Sequence, residues 1–219
     1  MLEIGPGTGQ ATRRLLQLGA KPLVAVEPDP ALAAYLDKSV GQPLDLHNVP
    51  LEDAQLPSRT FDLAVAASSF HWIDEELGLA KVFAALRPGG WWAMWWTLFG
   101  EAGEPDAFIA ATSPFLEDLG ASPTCGEEGR PVYALDIEVR LRALHTAGFG
   151  DVEHEVLRWR ADWDTEGLRA LYGTFSPIAR LDHERRAAIL DGVARIAERD
   201  FGGRVERTLV TSLYTGRRP

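Results

Sequence analysis

The sequence predicts an α/β fold built on a doubly wound parallel sheet, and two observations support this prediction. Short apolar runs alternate with amphipathic segments and short turns from residue 1 to about residue 100, which is the pattern of successive β-α-β units. The clearest run, Phe61–Ala67, is apolar along almost its whole length, as expected for a strand covered on both faces. Ligands of such sheets bind at the carboxyl ends of the strands, so the residues that follow each strand are the candidates for a site.

The first ten residues, M-L-E-I-G-P-G-T-G-Q, read as a strand end, a glycine loop and the start of a helix over residues 11–18. Gly5, Gly7 and Gly9 allow positive φ angles and let a ligand approach the backbone. The free N–H groups at the start of the helix suit an anionic part of that ligand. Gln10 stands where a dinucleotide-binding loop has its third glycine. A turn that only packs the helix closely against the strand is the alternative interpretation.

Glu27 favours the interpretation of the glycine loop as a ligand-binding loop. It follows the apolar run 23–26, and Pro28 then ends that strand. An acidic side chain at the tip of the second strand is placed to accept hydrogen bonds from both hydroxyls of a ribose. The site is therefore predicted to hold a nucleoside.

Composition and charge limit the classes of protein and partner. A length of 219 residues suits one α/β domain, and no apolar run approaches the roughly 20 residues of a membrane span. The single cysteine, Cys125, excludes an internal disulfide framework and a cysteine-rich metal site, so no metal is expected and the cytoplasm is the default location. With 22 basic and 32 acidic residues, the net charge of −10 argues against a nucleic-acid partner.

The remaining elements follow from periodicity and capping signals. We predict helices over residues 30–37, 75–86, 105–119, 135–147, 165–175 and 182–199, strands over 44–49, 91–98, 152–159 and 208–215, and a turn over 87–90. Alternation along the fifth strand places Trp92, Met94 and Trp96 on one face, so most of its tryptophans are expected in the core.

Five segments together resemble a known family. They are E-I-G-P-G-T-G, V-E-P, L-E-D-A-Q-L-P, F-D-L-A-V-A-A-S-S-F-H-W and L-R-P-G-G, in this order. The sequence resembles the class I S-adenosylmethionine-dependent methyltransferases, and within them the small-molecule enzymes related to trans-aconitate methyltransferase. The resemblance implies a Rossmann-like sheet of order 3-2-1-4-5-7-6 with the last strand antiparallel and helical insertions after strands 5 and 6. It also implies one methyltransferase domain over 1–219, with a cofactor-binding half up to about residue 100 and a substrate-covering half over 101–219.

The resemblance further implies which positions hold S-adenosylmethionine, whose product is S-adenosylhomocysteine. They are Glu3 for the amino group, Gly5, Gly7 and Gly9 for the methionyl part and the ribose, Glu27 with Pro28 for the ribose hydroxyls, Glu52 and Asp53 for the adenine, and Ala67 and Ser68 near the methyl end. Gln10 fits as well, because this cofactor carries no pyrophosphate.

Methyl transfer needs a base only where the acceptor must lose a proton. His71 is the candidate, because it lies just past the fourth strand and the unperturbed pKa of histidine is about 6.5. The alternative is that His71 holds its loop by a hydrogen bond. The predicted walls of the pocket for a small-molecule substrate are Trp72, Trp96, Thr97 and Phe99, and the arginines weighed for a carboxylate are Arg130, Arg140 and Arg180.

Three functions follow as hypotheses. The first is methylation of a small molecule, and the second is a cofactor-binding domain without catalysis. The third is a nicotinamide-dependent oxidoreductase, which Gln10 disfavours, and a P-loop enzyme is excluded because no Gly-Lys-Ser/Thr follows the glycines. The family normally carries a further segment before the glycine loop, whereas this sequence starts inside the first strand. Either the start was assigned too far downstream, or this is a shortened form with an exposed cofactor cleft, for which we expect weaker cofactor affinity and more exposed apolar surface than usual.

Overall fold

The computed structural model describes residues 1–41, 44–100, 106–119 and 132–219. Cys125 and Arg130 lie outside these residues. The strands are β1 (Leu2–Ile4), β2 (Val24–Val26), β3 (Asp45–His47), β4 (Phe61–Ala67), β5 (Leu86–Phe99), β6 (Gly150–Asp164) and β7 (Arg204–Arg217). The helices are α1 (Gln10–Gln17), α2 (Pro30–Val40), α3 (Glu75–Ala85), α4 (Ala107–Thr112), α5 (Ile137–Thr146), α6 (Thr165–Gly173), α7 (Ser176–Ala179) and α8 (His183–Phe201).

The seven strands form one sheet in the order β3-β2-β1-β4-β5-β7-β6. The pairs β1-β2, β1-β4, β2-β3 and β4-β5 are parallel. In contrast, β7 runs antiparallel to β5, because Gly89 N–H donates to the Arg218 carbonyl and Gly100 N–H donates to that of Thr208. The predicted α/β class and strand order are therefore confirmed.

The chain divides into two compact units. Of the described residues, the first unit contains 1–96, 132–156 and 212–219, and the second contains 97–100, 106–119 and 157–211. The single methyltransferase domain and its two halves stay a prediction. No helix within the described ranges is both long enough and apolar enough to cross a bilayer.

The core of the first unit lies along the central strands. Leu2 and Ile4 of β1 are buried, and so are Trp92, Met94 and Trp96, which lie on one face of β5 as the alternation predicts. Trp92 and Trp96 are the two of the four tryptophans that are in the core. Trp91, on the other face, is 39% exposed. Because β1 and β4 are each paired on both sides, neighbouring strands hold the residues at their carboxyl ends.

The second unit has its own apolar cluster, which includes Phe108 of α4, Leu168 of α6 and Val193 of α8. The second unit also contains a buried ion pair. Arg207 Nε and Nη2 each lie 2.9 Å from Asp106 Oδ2, and the other oxygen of Asp106 accepts the Ile109 N–H at the start of α4. One carboxylate thus both caps α4 and neutralises a cation on β7.

Two predicted elements differ from the structure, and one observed helix has no counterpart in the prediction. The segment 87–90, predicted as a turn, lies within β5, because the register shifts between Phe61 and Leu63 and the extra residues form an irregularity in the strand. The predicted helix 105–119 is only α4 followed by short 3-10 turns, since Pro114 has no N–H to continue the helical ladder. The four-residue helix α7 was not predicted.

Candidate functional site

The carboxyl ends of β1, β2 and β4 meet at one edge of the sheet. The pairing of these strands brings Gly5, Glu27 and Ala67 to the same level, where each strand ends or has just ended. Ser68 follows with φ of 52°, a left-handed conformation for a residue other than glycine, and its N–H donates to the Trp95 carbonyl at 2.8 Å. The predicted ribose, methionyl and methyl-end positions therefore lie side by side.

Glu27 is buried and its carboxylate faces the glycine loop. Its Oε2 accepts the Gly7 N–H at 2.9 Å, and its Oε1 accepts the Asp29 N–H at 3.0 Å. The side chain of Asn48 holds the same strand end from the next strand, since its Nδ2 donates to the Glu27 carbonyl at 2.7 Å and to that of Pro28 at 3.2 Å. A carboxylate has about four lone-pair sites, so two remain for a ligand.

The three glycines of the loop serve different purposes. A Cβ atom on Gly5 would lie 2.4 Å from Ser69 Cβ, so packing requires glycine there. A Cβ atom on Gly9 would lie 2.5 Å from Leu36 Cδ1, so the end of the Leu36 side chain would have to shift. A Cβ on Gly7 would have no described atom within 4 Å, although its φ is 56°. The space above Gly7 is therefore open, and this is the glycine that a ligand would approach.

Glu3 lies beneath the loop in the middle of β1 and is fully buried. Among the described residues, neither of its carboxylate oxygens has a hydrogen-bond partner. Burial raises the pKa of Glu3 to about 7, and the nearby Thr12 hydroxyl, which does not reach hydrogen-bond geometry, lowers it only in part. A buried carboxylate without partners is costly in a folded protein, and a cation beside it would satisfy it.

The other predicted cofactor positions are exposed. Glu52 and Asp53 lie in a 3-10 turn, Leu51–Asp53, which Lys81 fastens by donating to the Glu52 carbonyl at 2.6 Å. Pro28 is exposed at the end of β2, just before the residue that caps α2. Their contact with adenine or ribose stays a prediction.

His71 lies in the 3-10 turn Phe70–Trp72 that follows β4. Its Nδ1 accepts the indole N–H of Trp96 at 3.0 Å, and burial lowers the pKa of His71 to about 4. The ring is therefore neutral near pH 7, with its proton on Nε2. A His71 that holds its loop would make a hydrogen bond of this kind. The role of His71 as a base stays a prediction.

Of the four predicted pocket walls, two belong to each compact unit. Trp72 is 52% exposed and Trp96 is buried, and both rings lie beside His71 with centroid distances of 5.1 and 6.4 Å. Thr97 and Phe99 belong to the second unit, where the Thr97 hydroxyl bonds that of Thr211 and the Phe99 ring lies 3.8 Å beneath the Arg207 guanidinium. A common role in a substrate pocket stays a prediction for all four.

A charged cluster next to His71 was not found from the sequence. Tyr133 donates its hydroxyl proton to Glu75 Oε1 at 2.8 Å, and Arg140 Nη1 lies 3.1 Å from the same oxygen. The Arg140 guanidinium also lies 3.7 Å from the centre of the Tyr133 ring. Arg140 is thus buried in an ion pair. No group of three or more histidine, cysteine, aspartate or glutamate side chains with the arrangement of a metal site occurs in the described part of the chain.

Comparison with known proteins identifies the first part of the chain. Residues 2–94 match the family model described as a methyltransferase domain. This part of the chain is therefore similar to a methyltransferase domain. An uncharacterized methyltransferase of Mycobacterium tuberculosis is 32% identical over 96 residues, which are 44% of this chain and 39% of that protein. The chain thus spans about two fifths of the length of this relative.

Two solved structures share the fold of this chain. A protein assigned as a type II methyltransferase from Anaeromyxobacter dehalogenans has a TM-score of 0.63 at 23% identity, covering 99% of this chain and 88% of its own. Phosphoethanolamine N-methyltransferase 2 of Haemonchus contortus, in complex with phosphomonomethylethanolamine and S-adenosylhomocysteine, has a TM-score of 0.59 at 14% identity, covering 100% of this chain and 48% of its own. At these identities the likeness shows the fold.

Proposed function

We propose that this chain transfers the methyl group of S-adenosylmethionine to a small-molecule acceptor. The observation that carries the proposal is the pairing of Glu27 with Gly7. A buried carboxylate with unused acceptor capacity lies against the one loop glycine whose Cβ position is open. This arrangement suits a ribose whose two hydroxyls donate to a single carboxylate.

The residues at the sheet edge fit this cofactor in charge as well as in shape. Glu3 is a buried carboxylate without a described partner, and the amino group of the methionyl part is a cation. Glu27 and Gly7 offer an acceptor and an open backbone, and the turn of Glu52 and Asp53 offers exposed carboxylates for the adenine amino group. When bound, S-adenosylmethionine supplies a methyl group that is electrophilic because it is attached to a sulfonium.

The protein's own contribution is to position and orient. Short strands fix the levels of Gly5, Glu27 and Ala67, and Asn48 fixes the backbone of Glu27 from the neighbouring strand. Correct orientation of reacting groups can lower a barrier by roughly 7 to 11 kcal/mol, so rigid placement at this edge provides much of what the reaction requires. We propose that His71, at the same edge, contacts the acceptor.

A small molecule is the proposed acceptor because the net charge of −10 disfavours a polyanionic one. The Haemonchus contortus enzyme is likewise a complex with a small molecule, phosphomonomethylethanolamine. The cytoplasmic location and the branch of small-molecule enzymes stay predictions.

Direct binding and transfer measurements test the proposal. Calorimetry of the chain with S-adenosylmethionine, S-adenosylhomocysteine and NAD is expected to show binding of the first two and none of NAD. With methyl-labelled cofactor, label is then expected to move into a small-molecule metabolite extract. Binding without transfer would instead support a cofactor-binding domain without catalysis, and binding of NAD alone would overturn the proposal.

Gly7→Ala is expected to weaken S-adenosylmethionine binding by roughly tenfold or more, because the new Cβ occupies the open space above the loop. The positive φ also makes alanine unfavourable, by about 1 kcal/mol of folding free energy. Calorimetry gives the affinity, and thermal unfolding gives the stability.

Gly41→Ala is the matched control. Gly41 has φ of 64°, nothing within 4 Å of its Cβ position, and a place at the end of α2. Alanine at this position brings the same backbone strain, but no contact with the cofactor is proposed there. This variant is therefore expected to lose stability and to keep its cofactor affinity. Equal loss of affinity in both variants would contradict the role given to Gly7.

A further inference from the structure

The hydrogen bond between Trp96 and His71 determines what His71 can do. An indole N–H only donates, so Nδ1 of His71 is the acceptor at 3.0 Å. In a neutral imidazole the proton is then on Nε2. Within the described part of the chain, Nε2 has no hydrogen-bond partner, and the ring is half-buried at the carboxyl edge of β4.

Trp96 is held firmly in this position. It is 1% exposed, and its ring packs against those of Tyr133 and Tyr214 with centroid distances of 5.3 and 6.3 Å. Tyr133 is fixed in turn by its hydrogen bond to Glu75 and by the guanidinium stacked on its ring. The indole therefore has no room to turn its N–H away from His71.

The surroundings of the His71 ring also keep it uncharged. Its aromatic neighbours are Trp72, Trp96 and Tyr133, which bring no carboxylate to the ring. The nearest charged groups of the cluster, Glu75 and Arg140, pair with each other. A protonated ring would set an N–H against the indole N–H.

We propose that Trp96 is a positioning residue that fixes His71 as a neutral Nε2–H donor, and that this N–H binds an oxyanion or a polar oxygen of the methyl acceptor. The inference rests on the proposed function and narrows its substrate class to acceptors with such an oxygen. A donor Nε2–H cannot take a proton from the acceptor. The atom that receives the methyl group must therefore be unprotonated without help from His71.

The tautomer is tested first, on the cofactor-free chain labelled with ¹⁵N-histidine. The His71→Gln variant assigns the His71 resonances. Nitrogen NMR at pH 7 is expected to show an unprotonated Nδ1 and a protonated Nε2 for His71, and Trp96→Phe, which keeps an aromatic ring but has no N–H, is expected to give a mixture of tautomers. An Nδ1–H tautomer or a charged ring in the unmodified chain would overturn the proposal.

Donation to an oxyanion is tested with benzoate, with and without saturating S-adenosylhomocysteine. His71→Ala is expected to weaken benzoate binding at least tenfold, whereas His71→Gln, whose amide can donate but cannot act as a base, stays within about threefold. His145→Gln, on an exposed histidine of α5, is the control and is expected to bind as the unmodified chain does. Equal benzoate affinity in the unmodified chain and in His71→Ala, or equal losses in His71→Gln and His71→Ala, would overturn the proposal.

The two tests separate this inference from the proposed function. The tautomer of His71 does not depend on the cofactor. If the chain shows the Nε2–H form but does not bind S-adenosylmethionine, the proposed function is refuted and the role of Trp96 is supported. If the chain binds the cofactor and transfers methyl groups while His71 has the Nδ1–H form, the proposed function is supported and the role of Trp96 is refuted.

Discussion

Glu27→Ala is expected to weaken S-adenosylmethionine binding by at least about 100-fold. Hydrogen bonds to a charged group contribute about 1.5–3 kcal/mol each, and the carboxylate is proposed to accept two from the ribose. The truncation also frees the Gly7 N–H and the Asp29 N–H that the carboxylate now accepts, so the glycine loop loses its anchor on β2. Isothermal calorimetry with the cofactor measures the loss.

Two further variants, Glu27→Gln and Glu76→Gln, test whether the loss of affinity comes from the Glu27 carboxylate itself. Glu27→Gln keeps the size of the side chain and one oxygen for the Gly7 N–H, so an intermediate loss of roughly tenfold is expected. Glu76→Gln removes the same charge from an exposed position on α3 and is expected to change nothing. If Glu27→Ala bound the cofactor as tightly as Glu76→Gln does, the nucleoside site at this edge would be refuted.

The central strands could be predicted because their signals are local. The run Phe61–Ala67 became β4 without a change of boundary, since a continuous apolar segment can only be satisfied by burial on both faces. Glu27 was singled out because its place after the second strand is a matter of sequence spacing. The register then brings it level with Gly5, which depends only on parallel pairing.

The distinct roles of the loop glycines could not be predicted. Gly5, Gly7 and Gly9 look alike in the sequence, but Ser69 and Leu36, which pack on the outer two, come from segments far along the chain. Such contacts carry no local pattern. The sequence therefore indicated a glycine loop, and only the packing distinguishes the open position from the crowded ones.

The charged cluster next to His71 could not be predicted from the sequence for the same reason. Glu75, Tyr133 and Arg140 lie on α3, on a 3-10 turn and on α5, and nothing in their spacing links them. The strand alternation places Trp96 on the same face as Trp92 and Met94, yet the partner of its N–H depends on the path of the turn after β4. The hydrogen bond that bears on the choice between a base and a loop-holding histidine joins residues 25 apart in the sequence.

The stability of the cofactor-free chain is expected to depend on pH through Glu3. The pKa of Glu3 is about 7 in the folded state against 4.5 for an unperturbed glutamate, because burial penalises the charged form. Between these values the folded chain binds more protons than the unfolded chain, so stability falls as the pH rises from about 4.5 to about 7. The shift corresponds to ~3 kcal/mol, present in full below the lower value and lost above the upper one.

Glu3→Gln isolates this contribution, because His71 acts in the opposite direction. The pKa of His71 falls to about 4, so its own contribution to stability rises with pH up to about 6.5 in both chains and cancels in the difference between them. Denaturant unfolding at a series of pH values is expected to give equal stabilities near pH 4.5 and a variant more stable by up to ~3 kcal/mol at pH 8. A difference that does not change with pH would show that Glu3 is not buried as an unpaired acid. Saturating S-adenosylmethionine should reduce this difference at pH 8, since the proposed ammonium partner compensates the buried charge only in the chain that retains the carboxylate.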